Sequence, residues 1–224
     1  MSAPTGVADL GVAELYDSDF VRHFDARATL WEHLVCREAN AAFHHRLQLL
    51  GDRPLRVLDL GCGTGRNVRR FAHAGLAIDS YVGVDSSARM IGAARAAHPY
   101  SRAEFRHCDA DTALVADERY DLITATWLLS HHRDPADLIR TATERLHAGG
   151  RFMALAITDS NRPLARLHGW RFRHFLHSHP VSPESLRNHA LSFEHVSANG
   201  LISMIEYHPQ TPTPPQGIRD TMRI

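Results

Sequence analysis

The sequence predicts an α/β fold, a mostly parallel sheet of seven strands with helices on both faces. From residue 55 onward, short apolar runs alternate with stretches of helical spacing. Most of these runs are apolar on both faces, as strands buried between two helical layers are. The chain has 224 residues, 44% of them hydrophobic, which is enough for one domain with a substantial core.

Seven apolar runs are predicted as strands: 56–60, 81–84, 104–106, 120–127, 151–157, 191–196 and 201–207. The last two flank 197–200, a Ser-Ala-Asn-Gly segment typical of turns, so we expect an antiparallel pair to close the sheet. Asp134 and Pro135 predict a helix N-cap and first residue. The apolar stripe of that helix extends to Leu146, and Ala-Gly-Gly at 148–150 is expected to end it.

The chain divides into three predicted parts. Apolar residues at helical spacing over 12–24 and 28–50 predict two helices, which make 1–50 an N-terminal helical cap. The sheet domain occupies 51–208. Clustered prolines predict that 209–224 is an extended, flexible tail, because proline is unsuited to helices and central strands.

Composition excludes several classes of protein. The 25 Lys and Arg balance the 25 Asp and Glu, so no basic surplus favours nucleic acid as a partner. The three cysteines are scattered and predict neither a disulfide framework nor a CxxC zinc site, which suggests a reducing, cytoplasmic setting. No apolar run is long enough for a membrane span and no export signal is visible, so no membrane partner is expected.

The most informative segment is VLDLGCGTGRN at 57–67, where a hydrophobic strand leads into a glycine-rich turn and then a helix. Alternate glycines allow a tight turn and close approach of a ligand, and the free N–H groups of the helix start favour a carboxylate or phosphate. A dinucleotide fingerprint requires G-x-G-x-x-G, whereas Gly65 comes one position early and Arg66 holds the required place. NAD binding is therefore the weaker interpretation.

Two acids end the following strands. Asp85 follows the second strand and can accept hydrogen bonds from both hydroxyls of a ribose, and Asp109 follows the third and can accept one from a base amino group. Ligands of open parallel sheets bind at the carboxyl ends of the strands, where both acids lie.

In combination, these segments resemble the class I S-adenosylmethionine-dependent methyltransferases, small-molecule type, over about residues 55–158. VLDLGCGTG resembles the first motif of that family, VGVDSS its ribose segment and FRHCDA its adenine segment. YDLITATWLLSHH and LHAGGRFMAL resemble its fourth and fifth strands. The resemblance implies a Rossmann-like fold and S-adenosylmethionine as cofactor.

The resemblance also implies which residues bind the cofactor. They are Tyr16, Asp59, Gly61, Cys62 and Gly63 for the methionine end, Asp85 and Ser86 for the ribose, Met90, Asp109 and Ala110 for the adenine, and Thr126 beside the cofactor. Simpler roles stay open: Asp59 as a helix cap or a brace of the loop, Met90 as a core residue, and Phe20 and Phe24, which share a helical face with Tyr16, as a packing stripe. Asp111 is expected to cap a helix.

His131 and His132 follow the fourth strand at the rim where an acceptor would bind, and they are the candidates for a catalytic base. The alternative is that the pair caps or packs against the helix that starts at Asp134. No metal site is expected, although His174, His177 and His179 lie close in sequence, because their spacing matches no strong template. The arginines of 162–173 are candidates for binding an anionic acceptor.

A small metabolite or natural product is the predicted acceptor. No Asn/Asp-Pro-Pro-Tyr/Phe motif follows the fourth strand, which disfavours methylation of nucleic acid bases. Two alternatives stay open: cyclisation of the cofactor or transfer of its aminocarboxypropyl group, either releasing methylthioadenosine, and a non-catalytic binding protein that kept the fold. The N-terminal helices could pair two copies in a homodimer.

Overall fold

The computed structural model describes residues 36–99, 102–159, 178–186, 191–197 and 200–207. The first predicted helix, most of the predicted cap, Tyr16, the histidine-rich and arginine-rich segment up to His177, and the tail lie outside them. Within the described residues, no helix is long and apolar enough to cross a membrane.

Seven strands form one sheet in the order β3-β2-β1-β4-β5-β7-β6. They are β1 Leu55–Leu60, β2 Ile78–Asp85, β3 Ala103–His107, β4 Tyr120–Thr126, β5 Leu146–Ile157, β6 Leu191–His195 and β7 Ile202–Tyr207. The first five pair in parallel, and β7 lies antiparallel between β5 and β6. The predicted fold class and closing antiparallel pair are thus confirmed. The strand order reverses between β1 and β4, the point where open α/β sheets bind ligands.

Helices cover both faces of the sheet. They are α1 Arg37–Gln48, α2 Arg66–His73, α3 Ala88–Ala97, α4 Ala110–Val115, α5 Pro135–Glu144 and α6 Pro183–Leu186. Side chains of α1, α2 and α3 share one apolar cluster with sheet residues such as Val57. Those of α4, α5 and α6 share another with residues such as Leu58. Successive residues of β1 thus face opposite layers, which explains why this strand is apolar on both sides.

The helix before β5 begins as predicted and ends earlier than predicted. Asp134 is its N-cap and accepts a hydrogen bond from the Asp137 N–H at 3.0 Å, with Pro135 in the first turn. The prediction that the helix extends through Leu146 to 148–150 is wrong. Leu146 already pairs with Tyr120 in the sheet, and the ladder register shifts before Leu122 pairs with Arg151. An apolar residue at helical spacing also fits the buried end of a strand, so the apolar pattern alone could not show whether Leu146 ends the helix or begins β5.

β2 begins three residues before the predicted strand, at Ile78, and other strand ends differ from prediction by one residue. β6 ends at His195, β7 begins at Ile202, and β4 ends at Thr126. Ser197 closes the predicted turn, because its hydroxyl oxygen accepts the N–H groups of Leu201 and Ile202 at 3.1 and 3.0 Å. These bonds hold the start of β7 against the end of β6.

We predict that Phe152→Ala lowers the free energy of unfolding by about 3–5 kcal/mol, because Phe152 is fully buried in β5 and its loss leaves a cavity. Val115→Ala is the control, since Val115 is 77% exposed and its truncation is expected to change stability by less than about 0.5 kcal/mol. Urea unfolding of both variants measures the difference. Similar midpoints for the two would contradict the assigned core.

Candidate cofactor site at the carboxyl ends of the strands

The glycine-rich loop connects β1 to α2, and its three glycines have left-handed backbone conformations. Gly61, Gly63 and Gly65 have φ values of 64°, 53° and 75°. Such values strain any residue with a Cβ atom. The space around the three glycines differs. A Cβ atom at Gly61 would lie 3.1 Å from Leu128, and one at Gly65 would lie 3.0 Å from Phe105. A Cβ atom at Gly63 would have no neighbouring atom within 4 Å. Gly63 is therefore the open part of the loop, where a ligand can approach the backbone.

Asp85 lies beside this open glycine. One of its carboxylate oxygens accepts the Gly63 N–H at 2.9 Å, and the other accepts the Ser87 N–H at 2.9 Å. The structure thus brings the predicted ribose acid and the predicted loop together, although they are 22 positions apart in sequence. Ser86 is exposed next to them, and its carbonyl oxygen lies 3.0 Å from His107 Nε2.

Asp59 is fully buried beneath the loop. Its Oδ1 accepts hydrogen bonds from Thr124 Oγ1 at 2.7 Å and from Asn67 Nδ2 at 2.9 Å, and its Oδ2 accepts one from the Tyr81 hydroxyl at 2.7 Å. Burial raises the pKa of the Asp59 carboxyl, and these hydrogen bonds oppose that rise. This environment favours the bracing role for Asp59. A direct contact of Asp59 with the methionine end stays a prediction.

Sequence reasoning missed Asn67, like the other two donors to Asp59. It is 2% exposed, and Nδ2 reaches both Asp59 Oδ1 and Thr126 Oγ1, the latter at 3.2 Å. Its Oδ1 accepts from Arg70 Nη1 at 3.0 Å. A polar side chain just after the last glycine, on a helix that packs against the sheet, was the available signal. Its partners are distant in sequence and could not be read from it.

The residues predicted for the adenine lie in the segments that follow β2 and β3. Met90 and Ala110 are 7% and 8% exposed, so both also belong to the core. Asp109 is the N-cap of α4: its Oδ1 accepts the Thr112 N–H at 2.6 Å, which lowers the pKa of Asp109. The expectation that Asp111 would be the cap is wrong, because Asp109 precedes the first helical residue. The adenine contact of Asp109 stays a prediction.

Cys62 contributes its backbone to the loop, where its N–H donates to the Val84 carbonyl at 2.9 Å. Burial raises the pKa of its thiol far above the ordinary range, with the charges of Asp59 and Asp85 adding to the rise. The Cys62 side chain is buried and packs in the core, and the contact of its backbone with the cofactor stays a prediction.

Residues 30–193 match the family model described as a methyltransferase domain. The chain belongs to this methyltransferase family. Membership confirms the resemblance to class I S-adenosylmethionine-dependent methyltransferases, and it confirms S-adenosylmethionine as the cofactor.

Curated relatives agree with this assignment. A ubiquinone biosynthesis O-methyltransferase of Methylobacterium sp. (strain 4-46) is 27% identical over 183 residues, covering 74% of this chain and 70% of the relative. One from Leptothrix cholodnii is 31% identical over 101 residues, but that match covers only 43% of this chain and 41% of the relative.

Solved structures show the same fold. The plantazolicin methyltransferase BpumL, in complex with a triazolic desmethylPZN analog and SAH, superposes with a TM-score of 0.64 at 13% identity, covering 87% of this chain and 93% of that chain. An S-adenosylmethionine-dependent methyltransferase from Mesorhizobium loti gives a TM-score of 0.54 at 20% identity, covering 72% and 94%.

The residues present in this methyltransferase fit its cofactor. The open face of Gly63 leaves room for a ligand at the loop backbone, and the adjacent Asp85 carboxylate supplies the hydrogen-bond acceptors that ribose hydroxyls need. Thr126 lies half-buried at the end of β4, tied to the same loop helix through Asn67. Among the described residues, no group of three His, Cys, Asp or Glu side chains lies close enough to hold a metal ion.

The two candidate bases of the methyltransferase have different surroundings. His132 Nδ1 accepts the Asp134 N–H at 3.1 Å, and Nε2 lies 3.1 and 3.2 Å from the two oxygens of Asp111. A carboxylate only accepts hydrogen bonds, so Nε2 carries the proton and Nδ1 has its lone pair engaged. Neither nitrogen is available to take a proton, which favours the packing alternative for His132. His131 is half-buried beside it, and its role as the base stays a prediction.

We predict that alanine is tolerated less well at Gly61 than at Gly63. Both substitutions place a Cβ in a left-handed conformation, at a cost of about 1–2 kcal/mol. Gly61→Ala also crowds Leu128 at 3.1 Å, and overpacking adds about 1–3 kcal/mol. Thermal and urea unfolding of both variants test this. Equal stability losses would contradict the described loop geometry.

Proposed function

We propose that this methyltransferase transfers the methyl group of S-adenosylmethionine to an oxygen atom of a small-molecule acceptor. The observation that carries the proposal is the hydrogen bond between the Gly63 N–H and Asp85, which joins the glycine loop and the ribose acid into one site. Two relatives named as O-methyltransferases support oxygen as the attacking atom. The balanced charge of the chain supports a small acceptor over a nucleic acid.

Different groups of the described residues are proposed to bind different parts of the cofactor. The backbone of Gly61, Cys62 and Gly63 faces the methionine end, and Asp85 with Ser86 binds the ribose. Met90, Asp109 and Ala110 surround the adenine, and Thr126 borders the reacting end. Bound there, the cofactor supplies an electrophilic methyl group on a sulfonium, so the protein has to align the acceptor and remove a proton where the acceptor carries one.

Alignment is expected to provide most of the acceleration. Well-oriented reactants gain about 7–11 kcal/mol, whereas a positioned base adds roughly 10²–10⁴-fold in rate, about 3–5 kcal/mol. His131 is the proposed base, because its neighbour His132 has both ring nitrogens engaged. His132 instead fastens the segment after β4 to Asp111, and so holds His131 in place.

We expect Asp85→Asn to weaken S-adenosylhomocysteine binding by about 10-fold or more, because an amide replaces a carboxylate that accepts charge-assisted hydrogen bonds. Asp79→Asn is the matched control, an exposed acid of the same strand, with affinity expected within about twofold of wild type. Calorimetric titration measures both, with unfolding curves as a check on the fold. No binding by the wild-type protein would refute the proposed function.

Incubation with S-adenosylmethionine distinguishes methyl transfer from the other reactions of this cofactor. With a panel of small phenolic and hydroxylated acceptors, methyl transfer yields S-adenosylhomocysteine together with an acceptor heavier by one methylene unit. Time-dependent methylthioadenosine without such a product would point to cyclisation or aminocarboxypropyl transfer. Binding with no turnover across the panel would favour a non-catalytic binding protein.

With the acceptor found in that panel, we expect His131→Ala to lower kcat by about 10²–10⁴-fold, since a general base is lost. His132→Ala and Asp111→Ala remove opposite ends of one contact, so we expect similar, smaller effects from both, with kcat within about 10-fold of wild type. Stopped-time mass spectrometry measures the rates. Wild-type turnover in His131→Ala would exclude that residue as the base.

A further inference from the structure

The orientation of the Asn67 amide is fixed by its neighbours. Arg70 has only hydrogen-bond donors, so the atom of Asn67 facing Arg70 Nη1 at 3.0 Å must be the oxygen. With the oxygen placed there, the amide nitrogen faces Asp59 Oδ1 at 2.9 Å and donates to it. The donors of Arg70 therefore assign the oxygen and the nitrogen of the amide.

The second N–H of Asn67 determines the direction of the Thr126 hydroxyl. Nδ2 lies 3.2 Å from Thr126 Oγ1, and since Nδ2 can only donate, the hydroxyl oxygen accepts. The hydrogen of that hydroxyl is then directed away from Asn67. Thr126 is half-buried at the end of β4, next to the strand that leads into the glycine loop.

The far side of Asn67 is also held in place. Arg70 Nη2 donates to Asn40 Oδ1 at 2.7 Å, and the guanidinium carbon lies 5.9 Å from the centre of the Phe43 ring. Asn40 and Phe43 belong to α1, so Arg70 connects the amide of Asn67 to α1 on one side. On the other side, the amide donates to residues at the ends of β1 and β4. This support limits the rotation of the amide and so fixes the hydrogen bond to Thr126.

We propose that Asn67 is a positioning residue that holds the Thr126 hydroxyl as a hydrogen-bond donor toward an acceptor atom of the bound cofactor. The inference rests on the proposed function, because it requires the cofactor to bind beside Thr126. A purely structural role for Asn67 would instead affect cofactor affinity independently of Thr126.

A double-mutant cycle separates the two roles. The variants are Asn67→Ala, Thr126→Val and the double variant, each titrated with S-adenosylhomocysteine. We expect each single substitution to weaken binding about 5- to 10-fold, in line with the loss of one hydrogen bond. If Asn67 acts through Thr126, the double variant binds within about twofold of Thr126→Val. Losses that multiply to about 25-fold or more would overturn the inference.

Further variants guard against loss of the fold. Thr126→Ser keeps the hydroxyl and is expected to restore binding to within about twofold of wild type, and it leaves the Asn67 amide intact. If Thr126→Val binds as well as wild type, the inference fails even where Asn67→Ala does not fold.

The experiment also separates failure of the inference from failure of the proposed function. Wild-type protein that does not bind S-adenosylhomocysteine would refute both. Suppose that the wild-type protein binds S-adenosylhomocysteine, that Asp85→Asn weakens this binding, and that the losses of affinity from Asn67→Ala and Thr126→Val multiply in the double variant. That result would keep the proposed function and refute only the positioning role.

Discussion

The buried carboxylate of Asp59 is the interaction on which the site depends. A carboxyl group with no exposure to water is costly unless its oxygens are hydrogen-bonded. Its donors come from three different elements: Tyr81 on β2, Thr124 on β4 and Asn67 on α2. Satisfying one acid at the end of β1 therefore fixes the neighbouring strands and the helix after the loop in one arrangement.

The loop geometry follows from that arrangement. With the end of β1 and the start of α2 both tied to Asp59, five residues must turn the chain between them, and left-handed glycines make the turn without strain. The turn brings the Gly63 N–H to Asp85. Two carboxylates in this region thus have separate tasks: Asp59 is buried and holds the backbone, whereas Asp85 lies at the rim beside the open glycine.

The sequence was sufficient for features encoded locally. Strands buried on both faces read as apolar runs, and Asp134 with Pro135 marked a helix start, because the physical causes lie within a few residues. Prediction from the sequence failed where a local pattern fits both a helix and a strand, as at Leu146, which pairs with Tyr120 in the sheet. It also could not reveal contacts such as His132 with Asp111 or Asn67 with Thr126, which exist only because the fold brings distant residues together.

The pair His131 and His132 shows why neighbouring residues of one type need not share a role. After β4 the chain turns sharply, with Trp127 in a left-handed conformation at φ 69°, unusual for so bulky a residue. The turn directs His132 toward Asp111 and the start of α5, where both ring nitrogens are used. With both ring nitrogens engaged, His132 holds the segment after β4 against the first turn of α4 and the N-cap of α5.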